Sequence, residues 1–259
     1  MGSSVISGLK DKTIVVSGGT KGVGKAVALA YAQEGANVVF GGRDEGAAQA
    51  ILAQFSEQGG TGIFVRTDLR KTKDCIRLFD VAHQRFSRID GFFNYAGITP
   101  AAPLLECAEA DFNAIFDINV RAALFCCQQA IRYMQVSGVG SIVLTGSPHA
   151  WGGDKNRVAY ACSKGALLTL SNHIARHYAD MGIRANHITM GWTPTEGEIA
   201  LREAQGMSPE ALRTLASASV PAGRMTEVED IVPGILYLLS DNSKMVSGAN
   251  LRITGGFFI

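Results

Sequence analysis

The chain has 259 residues, 47% of them hydrophobic and 18% charged, and its 24 basic and 23 acidic side chains leave a formal net charge of +1 at pH 7. That length and apolar content can bury one large core. The balanced charge, with no block of one sign, gives no electrostatic footprint for nucleic acid or anionic lipid.

The N-terminal "MGSSVISGLKDK" lacks the apolar run of a secretion signal, and Ile6 stands where a myristoylation signal wants Ser or Thr. No segment has the roughly 18 uninterrupted apolar residues of a membrane span. The C-terminal "GGFFI" matches no lipidation or peroxisomal signal. Cys75, Cys107, Cys126, Cys127 and Cys162 are odd in number and form no Cys-x-x-Cys pair, so they read as reduced thiols, not as a disulfide frame or zinc site. The expectation is a soluble, cytoplasmic protein with no metal.

Short β-branched runs alternate with helical patterns along the chain. The strand at Thr13–Ser17 leads to a helix at Lys25–Gln33, the strand at Asn37–Phe40 to a helix at Asp44–Ser56, and the strand at Gly62–Arg66 to a helix at Lys71–Phe86. Strands at Gly91–Asn94, Ser141–Gly146 and Arg184–Thr189 precede helices at Phe112–Val136, Ala159–Ala179 and Glu229–Leu239, and Asn250–Thr254 closes the series. Several of these strands are continuously apolar, as in a parallel sheet covered on both faces. The pattern predicts an α/β fold: one doubly wound Rossmann-type domain over residues 1–259, with about seven parallel strands and helices on both faces. Residues 191–224, rich in Gly and Pro with two short helical patches, are too long for a plain connector. They read as a substrate lid, or as a solvated pair of surface helices.

The first strand runs directly into "SGGTKGVGKAVALAYAQ", with glycines at 18, 22 and 24. Glycine lets the backbone turn tightly and approach a ligand, and the start of the next helix offers free N–H groups to a pyrophosphate. Tight packing alone would also explain such a turn, but its place on the first βα unit suits a dinucleotide. In "VVFGGRDEG", at the end of the second strand, Gly42 supplies no carboxylate for a ribose, and Arg43 follows. Lys21 adds a cation nearby. Asp44 is either the missing acid or the N-cap of the next helix. NADP(H) is favoured, with NAD(H) the alternative.

Tyr160 and Lys164, in "YACSK", form the one Tyr-x-x-x-Lys pair in the chain and fall one turn apart on a predicted helix. The pair is common by chance, so its meaning rests on its surroundings. Those surroundings resemble the short-chain dehydrogenase/reductase family over nearly the whole length. The glycine turn is similar to that family's Thr-Gly-x-x-x-Gly-x-Gly with Ser17 for Thr, and "NYAG" (Asn94–Gly97) to its Asn-Asn-Ala-Gly with Tyr95 for the second Asn. "DINVRA" carries Asn119, "VLTGSPHA" carries Ser147 thirteen residues before Tyr160, and "IRANHITMGWTPT" keeps Thr195 while Met190 replaces a proline.

The resemblance implies Asn119, Ser147, Tyr160 and Lys164 as the catalytic set. It implies cofactor contacts from Ser17, Gly18, Gly22, Val23 and Gly24, from Asp68 and Leu69, from Asn94, Ala96 and Gly97, from Tyr160 and Lys164, and from Thr193 and Thr195. Lys21 and Arg43 join them on the phosphate reading. Asp68 could equally be a bare helix N-cap. A tyrosine has a pKa near 10, and a neighbouring ammonium lowers it by roughly 1–3 units, so Tyr160 is expected to exchange a proton with a substrate oxygen. Ser147 is expected to donate to that oxygen. Asn119 is expected to fix its helix backbone and a water on a proton path through Lys164.

Tyr95, His149, Trp151, Met190 and Trp192 are the expected pocket wall. Tyr95 either packs on the cofactor or fills space, His149 could be an ordinary loop residue, and Met190 leaves its loop freer than proline would. The aromatic set suits a ring or bulky ketone. Glu196 and Glu198 suit a hydroxyl-rich or cationic substrate, or simply begin a helix, with Arg202 beyond them. The implied function is NADP(H)-dependent interconversion of a carbonyl and a secondary alcohol on a small or cyclic molecule. A redox-inert NADP-binding sensor and a sugar-nucleotide epimerase or dehydratase are the alternatives, although the chain is short for the latter's substrate domain. Family resemblance implies a homotetramer or homodimer, and the apolar "GGFFI" suits burial against a partner or lid.

Overall fold

Runs rich in Val, Ile and Phe pair into one sheet in the computed structural model, which describes residues 8–257 except the Leu201 side chain. The first seven residues, where the reading of the N-terminus begins, and Phe258 and Ile259 of "GGFFI" lie outside the described residues. The strands are β1 (Thr13–Ser17), β2 (Asn37–Gly42), β3 (Thr61–Arg66), β4 (Gly91–Asn94), β5 (Gly140–Gly146), β6 (Ile183–Met190) and β7 (Asn250–Ile253). They are parallel throughout, in the order β3-β2-β1-β4-β5-β6-β7. This is the expected Rossmann-type α/β sheet. Every residue of β1, β4 and β5 is buried, which explains their unbroken apolar runs.

Helices cover both faces. On one lie α1 (Gly22–Gln33), α2 (Glu45–Glu57) and α9 (Val228–Leu239), whose Val27, Phe55 and Ile235 pack with Val16 and Phe40. On the other lie α3 (Thr72–Phe86), α5 (Ala122–Ser137) and α6 (Val158–His177), whose Phe79, Met134 and Leu167 pack with Val15 and Ile142. Full burial of each such side chain contributes roughly 1.5–3 kcal/mol. No described helix is long and apolar enough to cross a membrane.

Two expectations change. The stretch expected as one helix at Phe112–Val136 is α4 (Glu109–Phe116), a π turn (Asp117–Arg121) and α5, so Asn119 sits in a widened turn. Met190 is not in a loop. It is the last residue of β6, opposite Ile253, and Gly191 N–H donates to the Ile253 carbonyl at 2.8 Å. Unlike proline, methionine keeps the N–H and free φ that a strand needs, so the strand runs on where more freedom was expected. The two helical patches expected within residues 191–224 form α7 (Glu196–Ala204) and α8 (Pro209–Ser219).

Strand order reverses between β1 and β4, and the crevice that ligands use in such sheets opens there. The carboxyl ends of both strands are tied together. Ser17 Oγ donates to Asn94 Oδ1 at 2.9 Å, while the Ser17 carbonyl accepts from the N–H groups of Tyr95 and Ala96.

Candidate active site

A cleft of about 770 Å³ opens over the carboxyl ends of the central strands, with α7 and α8 contributing its far wall. Its floor is the turn after β1. Gly18 has φ +76°, and a Cβ there would lie 2.9 Å from Ala96 Cα. A Cβ on Gly24 would lie 2.2 Å from the Gly18 carbonyl oxygen. Both clashes are with backbone, so the turn needs glycine at both places. Ser17, Gly18, Lys21, Gly22 and Val23 line the cleft, but Gly24 and Asn94 do not: Gly24 lets α1 start against the turn, and Asn94 holds Ser17 from below.

Two N–H groups at the start of α1 already meet oxygens of the chain. Gly22 N–H donates to Glu196 Oε2 at 3.0 Å, and Val23 N–H donates to the Tyr95 hydroxyl. Burial pushes the Tyr95 phenol up to about 12, so it is a neutral hydroxyl there, with its ring stacked on Phe93 at 6.0 Å. The Glu196 contact means that this helix start accepts an oxyanion. Asn94 Nδ2, beneath the cleft, is buried without a partner. The glycine floor and the oxyanion acceptor together fit a dinucleotide pyrophosphate.

Farther along, Arg43 is exposed on the cleft wall, and among the described residues no hydrogen bond or ion pair holds it. Asp44 is the N-cap of α2, accepting from Ala47 N–H at 3.0 Å, and lies 3.3 Å from Lys21 Nζ. That N–H, and then Lys21, hold the Asp44 carboxyl below its usual range. Lys21, expected as a cation near this site, is there paired with Asp44. Asp68 is not a helix cap either, since Lys71 precedes α3. Its carboxylate grips Arg70 at 2.9 and 2.7 Å, which holds it down to about 2, and it lines the cleft beside Leu69.

Ser147, Tyr160 and Lys164 converge on the cleft with Ala96 and Gly97. Ser147 follows β5 in extended conformation and caps a short 3-10 turn (Pro148–Trp151), accepting from His149 N–H at 3.3 Å. Lys164 Nζ lies 5.5 Å from the centre of the Tyr160 ring and donates to the Thr145 carbonyl at 2.9 Å. Burial lowers Lys164 to about 8. Tyr160 departs from expectation: burial raises its phenol, while the hydrogen bond with Ser147 and the charge of Arg157 pull it back down. In a site this dry, desolvation of the phenolate outweighs the nearby cations.

Asn119 is fully buried and does not line the cleft. Its Oδ1 accepts from Ile98 N–H at 2.8 Å, and its Nδ2 donates to the Ile98 carbonyl at 2.9 Å and Ser163 Oγ at 3.0 Å. It was expected to hold its own helix backbone. It instead clamps the chain after β4 to α6, because the π turn aims it there. Trp151 also leaves the predicted set. It is 42% exposed off the cleft, with the Arg252 guanidinium 4.5 Å from its ring centre. Tyr95, His149, Met190, Trp192, Thr193 and Thr195 do line the cleft. Glu198 begins a helix turn and is also committed: its Oε1 accepts from Trp192 Nε1 and Arg202 Nε, each at 2.7 Å.

Arg157 and His187 carry no signal in the sequence. Arg157 lines the cleft and donates through Nη1 to the Thr99 carbonyl at 2.9 Å. His187 is a buried imidazole behind Gly146, whose Cβ would fall 1.9 Å from His187 Cε1. Only the clash explains Gly146, and it becomes visible once β5 and β6 are paired. Among the described residues, no group of three His, Cys, Asp or Glu side chains could hold a metal ion.

The family model described as enoyl-(acyl carrier protein) reductase matches residues 18–258. L-rhamnose 1-dehydrogenase (NAD(P)(+)) of Azotobacter vinelandii is 32% identical over 256 residues, covering 97% of this chain and 98% of the relative. The solved structure of levodione reductase superposes with a TM-score of 0.90 at 27% identity, covering 95% of this chain and 97% of its own. NAD+-bound xylitol dehydrogenase does so with a TM-score of 0.88 at 28% identity, covering 96% and 99%.

The buried Lys164 makes stability depend on pH in a stated direction. Its folded value, about 8, lies below the ordinary 10.5, so carrying the charge into the fold costs free energy. That cost is full below pH 8 and fades as pH rises toward 10.5. Lys164→Met is expected to raise stability at pH 7, by about 3 kcal/mol at most, seen as a higher Tm, and the advantage should close between pH 8 and 10.5. Thermal melts across that range check this, and a variant less stable at pH 7 would refute it.

Proposed function

The chain belongs to the short-chain dehydrogenase/reductase family, and on that premise we propose that it is an NADP(H)-dependent oxidoreductase interconverting a carbonyl and a secondary alcohol. The observation that carries this reading is the convergence of Ser147, Tyr160 and Lys164 on the same cleft as the glycine turn. The relatives named above are L-rhamnose, levodione and xylitol enzymes, which supports carbonyls and secondary alcohols as the substrate class.

A bound nicotinamide dinucleotide supplies or accepts the hydride. The N–H groups of Gly22 and Val23 would hold its pyrophosphate in place of Glu196 and the Tyr95 hydroxyl, and Thr193, Thr195, Ala96 and Gly97 would flank it. Arg43, unpaired beside Gly42, supports a 2′-phosphate, hence NADP(H). Tyr160 gives its phenolic proton to the substrate oxygen in reduction and takes it back in alcohol oxidation. A neutral phenol is the form that a reductase needs, and the burial that raises Tyr160 secures it. Ser147 donates to the same oxygen as charge builds on it. Lys164, a buried cation beside the ring, stabilises the phenolate once the proton has left. Asn119 positions the wall through Ile98.

Tyr160→Phe is expected to lower turnover about 10²–10⁴-fold while cofactor affinity stays the same. Turnover within tenfold of the parent in a ketone-reduction assay would rule out the proton role.

Fluorescence titration with NADPH and NADH tests the cofactor assignment in two variants. Arg43→Ala should weaken NADPH alone, whereas equal losses for both nucleotides would count against a phosphate contact. Glu196→Ala should tighten both nucleotides about tenfold, since the lid carboxylate occupies a phosphate donor. Unchanged or weaker binding would show that Glu196 does not compete.

The same reading includes a cytoplasmic location, which reduced cysteines suit, and one domain over 1–259 with a lid at 191–224. It also includes a homotetramer. Leu105, Phe112, Leu124 and Val136, on or beside α4 and α5, are exposed apolar side chains that suit a subunit interface. Light scattering at micromolar concentration should give four chains, and a single-chain mass would overturn the assembly.

A further inference from the structure

His149 stands beside Tyr160 on the cleft wall, with the two rings edge to face and their centres 5.6 Å apart. Its backbone is fixed, because its N–H donates to Ser147 Oγ. Its ring is fixed as well. Gly152 and Gly153 follow Trp151 with φ +139° and +79°, a conformation that side-chain-bearing residues avoid, and they fold the chain back over the imidazole. That return brings the Asp154 N–H to His149 Nδ1 at 3.1 Å.

A backbone N–H can only donate, so Nδ1 must present its lone pair and carry no proton. In the neutral ring the proton then sits on Nε2. Burial, with the charge of Arg157, lowers His149 from its ordinary value and keeps it neutral near pH 7. Among the described residues nothing accepts from Nε2–H. The loop thus holds a donor of defined tautomer at the cleft beside the two groups that serve the reacting oxygen. A carbonyl oxygen has two lone pairs, and Ser147 and Tyr160 take both. A third donor needs a second oxygen.

We propose that His149 is a specificity-determining residue whose Nε2–H binds an oxygen on the carbon next to the reacting one, so that the enzyme takes vicinally oxygenated substrates such as hydroxyketones and 1,2-diols. This rests on the oxidoreductase reading above and deepens it. A site that offers a fixed polar group discriminates against an analogue lacking the matching oxygen, because the group is then left unpaired.

The test compares kcat/KM for 2-hydroxycyclohexanone and cyclohexanone with NADPH. The parent should favour the hydroxyketone by about tenfold or more, in keeping with one hydrogen bond. His149→Phe, which keeps a flat ring but loses the donor, should bring the ratio near one. His149→Gln, whose amide can reach the same place, should restore much of it. A parent ratio near one, or a preference that survives in the Phe variant, overturns the proposal. A parallel binding titration of cis-1,2-cyclohexanediol against cyclohexanol reads the same donor without turnover. If neither ketone reacts yet His149 governs a diol preference in binding, the His149 contact to a vicinal oxygen stands as a binding contact and the oxidoreductase reading falls. If neither turnover nor a diol preference is found, both fall.

Discussion

The arrangement depends on how the chain holds the place where the sheet reverses its strand order. β1 and β4 run side by side there, and the chains leaving them must separate without splaying the strands. Ser17 does this from both its ends: its hydroxyl bonds to Asn94, and its carbonyl accepts from Tyr95 and Ala96 N–H. The chain after β4 is thereby pulled across the glycine turn, where Ala96 comes so near to Gly18 that no Cβ fits between them. From this one contact the positions of Gly97, Ile98 and Thr99 follow. Asn119 then fastens Ile98 to α6, the helix that carries Tyr160 and Lys164. These polar groups are buried and linked in series, so each fixes the next, although Asn94 Nδ2 is left without a partner.

That series supports an expensive group. Lys164 is buried with its ammonium held by one carbonyl, and desolvation lowers it by more than any neighbour restores. Cores do not carry such a charge for stability. His187, also buried, is pushed down to about 4, chiefly by burial and further by the Lys164 charge, so it stays neutral. One cation therefore stands near two neutral acid–base groups, the buried His187 behind it and Tyr160 at the cleft. The cost is borne by the well-packed strands beneath, where Val143, Leu144 and Ile188 are wholly buried.

The sheet is legible in the sequence because burial on both faces leaves long β-branched runs, and each begins or ends within a few residues of its pattern. The glycine turn and the Tyr160–Lys164 pair are legible because their chemistry acts over short spacings. Roles that depend on contacts between distant elements are not. Asn119 looks like any polar helix residue until the π turn aims it at Ile98. Trp151 looks like a pocket aromatic because it lies four residues past Ser147, but a short helical turn and two glycines carry it outside. Met190 reads as the loss of a proline, whereas in the sheet it is the gain of a strand residue. Asp68 reads as a cofactor-contacting acid or a helix N-cap and Lys21 as a cation for a phosphate, and only the folded chain supplies Arg70 and Asp44 as their partners.

The segment after β6 shows how two contacts are joined through adjacent residues. Glu196 and Glu198 both open α7, where acids suit the helix dipole, and composition cannot tell them apart. The fold does. Glu196 reaches back to Gly22 at the glycine turn, while Glu198 is tied to Trp192 and Arg202, with the Arg202 guanidinium 5.1 Å from the Trp192 ring centre. One carboxylate thus touches the dinucleotide cradle, and the other braces the wall of the cleft beyond it. Both sit on the first turn of one helix, so a single turn of α7 faces the glycine turn on one side and the Trp192 wall on the other.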